Sequence, residues 1–94
     1  MVSKYDTIAL LNNKHRETLR LIFDTPIRGD VKWRDIEKLI TALGGEISEG
    51  SGSRVRLWLN GVRAVFHRPH PQPTTDKGAL KSMRRFLENA GVRL

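Results

Sequence analysis

Residues 54–67 read RVRLWLNGVRAVFH, and this stretch decides the fold. Asn60-Gly61 is the pair best suited to a two-residue hairpin turn, because both central residues of that turn need positive φ. A two-residue loop also sets the register. Leu59 faces Val62, Trp58 faces Arg63, Leu57 faces Ala64, Arg56 faces Val65, Val55 faces Phe66 and Arg54 faces His67. Side chains alternate across a sheet, so one face collects Val55, Leu57, Leu59, Val62, Ala64 and Phe66. The other collects Arg54, Arg56, Trp58, Arg63, Val65 and His67, a basic face with an aromatic in it.

Upstream, Glu46 to Glu49 is a short candidate strand, joined to the hairpin by Gly50-Ser51-Gly52-Ser53. Trp33, Ile36, Leu39, Ile40 and Leu43 make the clearest helical stripe in the chain, with Arg34, Asp35, Glu37 and Lys38 opposite. Asp30 is the expected N-cap and Gly44 or Gly45 the C-cap. An earlier helix starts near Lys14 under an Asn12 or Asn13 cap, carries Leu19, Ile22 and Phe23, and stops at Asp24-Thr25-Pro26. Before it, Ile8, Leu10 and Leu11 fit either a short helix or a packed arm. Downstream, Arg68 to Pro73 is an extended proline-rich loop. Thr74, Thr75 or Asp76 then caps a last helix bearing Leu80, Met83, Phe86, Leu87 and Ala90, ended by Gly91. Lys77, Lys81, Arg84 and Arg85 are expected to point outward from it. The expected fold class is α+β, an α-β-β-β-α domain over residues 31–94 behind an N-terminal helical extension over residues 1–30. Both flanking helices should cover the apolar sheet face.

Composition narrows the function. The chain has 94 residues, 29% charged and 38% hydrophobic, which is globular composition for one small domain. No apolar run approaches the ~20 residues of a membrane span, and no secretory signal is visible, so a cytosolic location is expected. With no cysteine there is no disulfide, thiol nucleophile or thiolate metal site. The net charge of +7 is lopsided. Residues 1–47 carry eight basic and seven acidic side chains, whereas residues 48–94 carry nine and three. Such a half-molecule suits a polyanion, since neutralising phosphates releases condensed counterions.

Candidate chemistry is sparse. Gly50-Ser51-Gly52-Ser53 lacks the Gly-Lys of a phosphate loop and precedes a strand, so it is not one. His67 and His70 have an H-x-x-H spacing without a third donor nearby, and no metal or cofactor is expected. His15 lies apart in the first helix and is expected to be exposed. What remains is an RNA-type site. Arginines can neutralise phosphate, Trp58 or a guanidinium can stack on a base, and a histidine can move protons. The competing reading is a solubilising sheet face on which His67 is incidental. A noncatalytic RNA-binding domain, or a DNA-binding or protein-interaction module, stands behind a nuclease.

KWRDIEKLITALGGEIS, GSRVRL, VRAVFHRPHP and DKGALKSMRRFLENAGV, in this order between Lys32 and Val92, resemble the helix, strand and final-helix segments of the HicA family of type II toxins. The resemblance implies a double-stranded-RNA-binding-like fold, a translation-independent mRNA endoribonuclease activity and silencing by a HicB-type antitoxin. It also implies roles for Gly52 and Ser53, which match the family's Gly-Ser-His at the second strand. The third position departs from it: the family histidine, held to be catalytic, is replaced here by Arg54. An arginine keeps its proton at working pH and cannot be a general base. It can clamp a phosphate. The hairpin register offers His67 as the replacement base, with His70 as competitor and Arg54 as the clamp. The expected RNA contacts are Gly52, Ser53, Arg54, Arg56, Trp58, Arg63, Lys77 and Lys81. An acidic antitoxin surface would meet Arg54, Arg56, Arg63 and the Arg84-Arg85 helix.

Overall fold

A computed structural model describes residues 11–94; Ile8 and Leu10, read as part of a helix or arm, lie outside the described residues. In chain order the elements are α1 (Asn13–Ile22), β1 (Val31–Lys32), α2 (Trp33–Ala42), β2 (Glu46–Glu49), β3 (Arg54–Leu59), β4 (Val62–His67), β5 (Thr74–Thr75) and α3 (Lys77–Asn89). Asn60 and Gly61 adopt φ of 50° and 81°, the left-handed values that the tight turn demands. β3 and β4 then pair in the predicted register, from Leu59 opposite Val62 to Arg54 opposite His67. β2 joins the far side of β3, Glu46 opposite Trp58 and Ser48 opposite Arg56, giving an antiparallel sheet of order β2-β3-β4.

The two faces sort as the alternation requires. Val55, Leu57, Leu59 and Phe66 are buried, with Ile47, Val62 and Ala64 partly buried around them. The helices cover this face. Ile36, Leu39 and Ile40 of α2, and Leu80, Met83 and Leu87 of α3, join Leu57 in one core. Phe66 sits between the rings of Trp33 (5.7 Å) and Phe86 (6.3 Å, edge-on). Each such side chain contributes about 1.5–3 kcal/mol on leaving water, so the core decides which sheet face is covered. Leu19 and Ile22 bring α1 into the same core. Gly45 is needed for the close passage from α2 to the sheet: a Cβ there would lie 2.7 Å from Ile40 Cγ2 and 2.8 Å from the Trp58 carbonyl.

Caps follow the sequence at two helices. Asn12 Oδ1 accepts the His15 N–H (2.8 Å), and Asp76 Oδ1 accepts the Ala79 N–H (2.7 Å), each worth about 1 kcal/mol. The expected Asp30 cap does not form. Val31 and Lys32 continue the chain as a strand paired with Thr75 and Thr74, so Lys32 becomes the N-cap residue of α2. The Trp33 N–H is satisfied by the Pro73 carbonyl (3.0 Å), while Asp30 pairs with Arg28 (2.8 Å). Arg84 also departs from expectation. Instead of pointing outward, it donates from Nε and Nη2 to the Ile22 carbonyl (3.0 and 2.7 Å) and from Nη2 to the Asp24 carbonyl (2.8 Å). The end of α1 leaves carbonyls without helical donors, and a guanidinium supplies them. Arg84 is thereby withdrawn from the basic surface expected to meet a partner.

Candidate nucleic-acid interface

The sheet face turned away from the helices carries Glu46 and Ser48 from β2, Arg54, Arg56 and Trp58 from β3, and Arg63, Val65 and His67 from β4. All are exposed, Trp58 at 44% and Val65 at 51%. Hydrogen-bond alternation sets their spacing. The Arg68 N–H donates to the Ser53 carbonyl (2.9 Å), so Ser53 and Arg68 form a hydrogen-bonded pair. Counting back along the ladder, Arg54–His67, Arg56–Val65 and Trp58–Arg63 are the intervening close pairs, in which side chains approach best. The Arg63 guanidinium lies over the Trp58 ring, 5.1 Å from its centroid.

Ser53 and His67 meet. Ser53 Oγ is 3.3 Å from His67 Nδ1, a contact that orients the imidazole beside Arg54. The loop before β3 is tight: Gly50 N–H donates to the Arg54 carbonyl (2.8 Å), Arg54 N–H to the Ser51 carbonyl (3.2 Å), and Gly52 takes φ of 63°. Below it a small notch of about 70 Å³ is lined by Gly50, Ser51, Arg54, Arg56 and Val65. Arg56 Nη1 donates to the Glu49 carbonyl (3.1 Å), which fixes its head on the face. A wider hollow of about 450 Å³ follows, lined by Arg56, Trp58, Arg63, Ala64 and Val65. The arrangement offers cations for phosphate, an aromatic for a base and one imidazole in a fixed place.

Other candidate residues lie elsewhere. His70 is exposed in the loop between β4 and β5, and no hydrogen bond joins it to His67 or Arg54 among the described residues. Lys77 and Lys81 are exposed on α3, which packs on the opposite, apolar side of the sheet. His15, expected to be exposed, is half-buried, and its Nδ1 finds no hydrogen-bond partner among the described residues. Among those residues no group of three or more His, Asp or Glu is gathered as a metal ion requires.

Arg68 escaped the sequence reading. Its Nε donates to Glu37 of α2 (2.8 Å) and its Nη1 to both carboxylate oxygens of Glu49 in β2 (2.7 and 2.6 Å). Glu37 also accepts the indole N–H of Trp33 (2.7 Å). The bonds to Glu49, then those to Glu37, hold the Arg68 guanidinium above its ordinary pKa. Its backbone N–H meanwhile holds Ser53, so Arg68 ties α2, β2 and the start of β3 to the end of β4. The partners lie 31 and 19 residues away in the chain, and no local pattern announces them.

A family model for the HicA toxin of bacterial toxin–antitoxin systems matches residues 33–92, from the first residue of α2 to just beyond α3. No curated protein matches the chain, and no solved structure does. The matched span contains the whole α2-β2-β3-β4-α3 arrangement, the α-β-β-β-α order that the sequence resemblance implied. By fold and by family match, the chain belongs to the HicA toxin family of toxin–antitoxin systems.

Proposed function

We propose that this toxin acts on RNA, through the sheet face of β2, β3 and β4, as an mRNA endoribonuclease that needs no metal. The supporting observation is the outward face itself: Arg54, Arg56 and Arg63 share it with Trp58 and with a His67 oriented by Ser53. RNA cleavage by internal attack requires three things of a protein. A base takes the 2′-OH proton, cations stabilise the crowded phosphorane, and an acid protonates the leaving 5′ oxygen. His67 is assigned the base and Arg54 the phosphate clamp, because cross-strand partners of a close pair reach one phosphate together. His70, exposed in the loop after β4, is the competitor for the base. A HicB-like antitoxin restrains the toxin by covering the same face in the cytoplasm. Among the described residues no helix is long and apolar enough to cross a membrane.

A second reading rests on Arg54. Where the family resemblance leads one to expect the catalytic histidine, this chain has a residue that cannot accept a proton. On that reading the domain binds RNA and its antitoxin with little cleavage. Expression in cells separates the two. Growth arrest with mRNA fragmentation supports the nuclease; arrest without fragmentation supports binding alone. No arrest, with affinity only for duplex DNA, contradicts both.

A further inference from the structure

We propose that Trp58 and Glu46 form a nucleobase subsite on this face that selects guanine in single-stranded RNA. The inference rests on the RNA reading above and adds a sequence preference to it. Trp58 lines a second hollow, of about 330 Å³, together with Gly44, Glu46, Leu59 and Asn60. That volume lies at the small end of ligand sites. The indole thus borders two hollows, one basic (Arg56, Arg63) and one holding a carboxylate.

Glu46 is the direct cross-strand partner of Trp58. On β3 the residues whose backbone bonds run toward β4 alternate with those bonded toward β2, and Gly50 N–H to Arg54 O marks the second set. Trp58 belongs to that set, so Glu46–Trp58 is a hydrogen-bonded pair with Cα atoms about 5.5 Å apart. Glu37 and Glu49 are engaged by Arg68, and Glu17 by Arg20. The Glu46 carboxylate has no such partner among the described residues. On a face otherwise furnished with Arg54, Arg56 and Arg63 it repels phosphate. It suits a group that presents hydrogen-bond donors.

A carboxylate accepts through two oxygens and donates nothing. Guanine alone among the four RNA bases presents two adjacent donors on its pairing edge, N1–H and the 2-amino group, which match those oxygens. Adenine and cytosine offer one amino group beside ring acceptors, and uracil offers one N–H between two carbonyls. Stacking on an aromatic is tolerant of base identity, so Trp58 supplies affinity and Glu46 supplies the choice. Arg63, already over the indole, and Arg56 lie beside it to hold the flanking phosphates.

The test uses the full chain and uridine hexaribonucleotides whose third base is uracil, guanine, hypoxanthine, adenine or cytosine. Tryptophan fluorescence follows binding; Trp33 is 5% exposed, so quenching reports Trp58. The guanine oligomer should bind roughly tenfold more tightly than the uridine one, the size of a bidentate base contact. Hypoxanthine, which lacks the 2-amino group, should fall between them. Glu46→Gln should erase the guanine advantage. Trp58→Phe, which lacks the reporting indole and is followed by the fluorescence anisotropy of a 5′-labelled oligomer, should keep the preference at lower affinity. Equal binding of all five oligomers with a steep salt dependence would overturn the subsite while leaving RNA binding intact. Binding of none would overturn both. Loss of antitoxin affinity in Trp58→Ala, without base discrimination by the parent, would assign the hollow to a protein partner and end the proposal.

Discussion

Arg54 and His67 face each other as a close pair at the open end of the β3–β4 ladder, with the Ser53 hydroxyl 3.3 Å from the imidazole. A residue that cannot take a proton is thereby set beside one that can. Three consecutive backbone features hold them there: the Asn60-Gly61 turn, the strict alternation it imposes, and the Arg68 N–H bond to Ser53 that closes the ladder.

If His67 is the base, His67→Gln should lower cleavage of a defined RNA by ~10²-fold or more at unchanged RNA affinity. Arg54→Ala should weaken both. Each variant is first shown to be folded by circular dichroism. Equal cleavage by His67→Gln and the parent would rule His67 out, and loss in His70→Gln alone would move the base to the loop.

The register makes a stability contrast. Leu57 is fully buried and Val65 is 51% exposed, although both lie mid-strand in the hairpin. Leu57→Ala should cost about 2–5 kcal/mol in urea unfolding. Val65→Ala should stay within about 0.5 kcal/mol. Similar losses at both sites would mean that the two faces are not distinguished by burial.

Arg28 holds the Asp24 carboxyl below its usual range, aided by the Thr25 N–H, and holds Asp30 down as well. Lowered folded pKa values stabilise the fold above the ordinary carboxylate value, and this contribution is lost as pH falls through the folded ones. The parent and Arg28→Met should therefore differ in melting temperature near neutrality and converge in acid, once pH has fallen through the lowered values of Asp24 and Asp30. A difference that persists undiminished in acid would contradict the pairing.

Much of this was legible in the chain. The hairpin register, the two sheet faces and the helical stripes all follow from Asn60-Gly61 and from periods of two and 3.6 residues. The β1–β5 pair was not, because two-residue strands are too short to show alternation; with it went the Asp30 cap. Arg84 and Arg68 were misjudged or missed for one reason. A long cation on an exposed-looking position reaches carbonyls or carboxylates that only tertiary folding brings near, such as Ile22 for Arg84 and Glu37 for Arg68. At the site, the face of Arg54, Arg56, Trp58, Arg63 and His67 was readable from the register. The Ser53–His67 contact and the separation of Lys77 and Lys81 from that face required three dimensions.

An antitoxin that uses the same surface should compete with RNA. Its association should slow as salt rises, and Arg56→Ala or Arg63→Ala should slow it further, because charges of this kind act mainly on the association rate. Arg84→Ala should instead lower stability, since its donors serve α1. A ternary complex of toxin, antitoxin and RNA would contradict direct competition.

The most direct measurement is the affinity of the chain for single-stranded RNA as a function of salt, for the parent, Arg56→Ala and Arg63→Ala. An RNA-binding sheet face predicts a steep linear fall of log affinity with log salt, and a slope shallower by about 0.7 for each arginine removed. A parent that binds no RNA, or slopes that are unchanged in both variants, would contradict it.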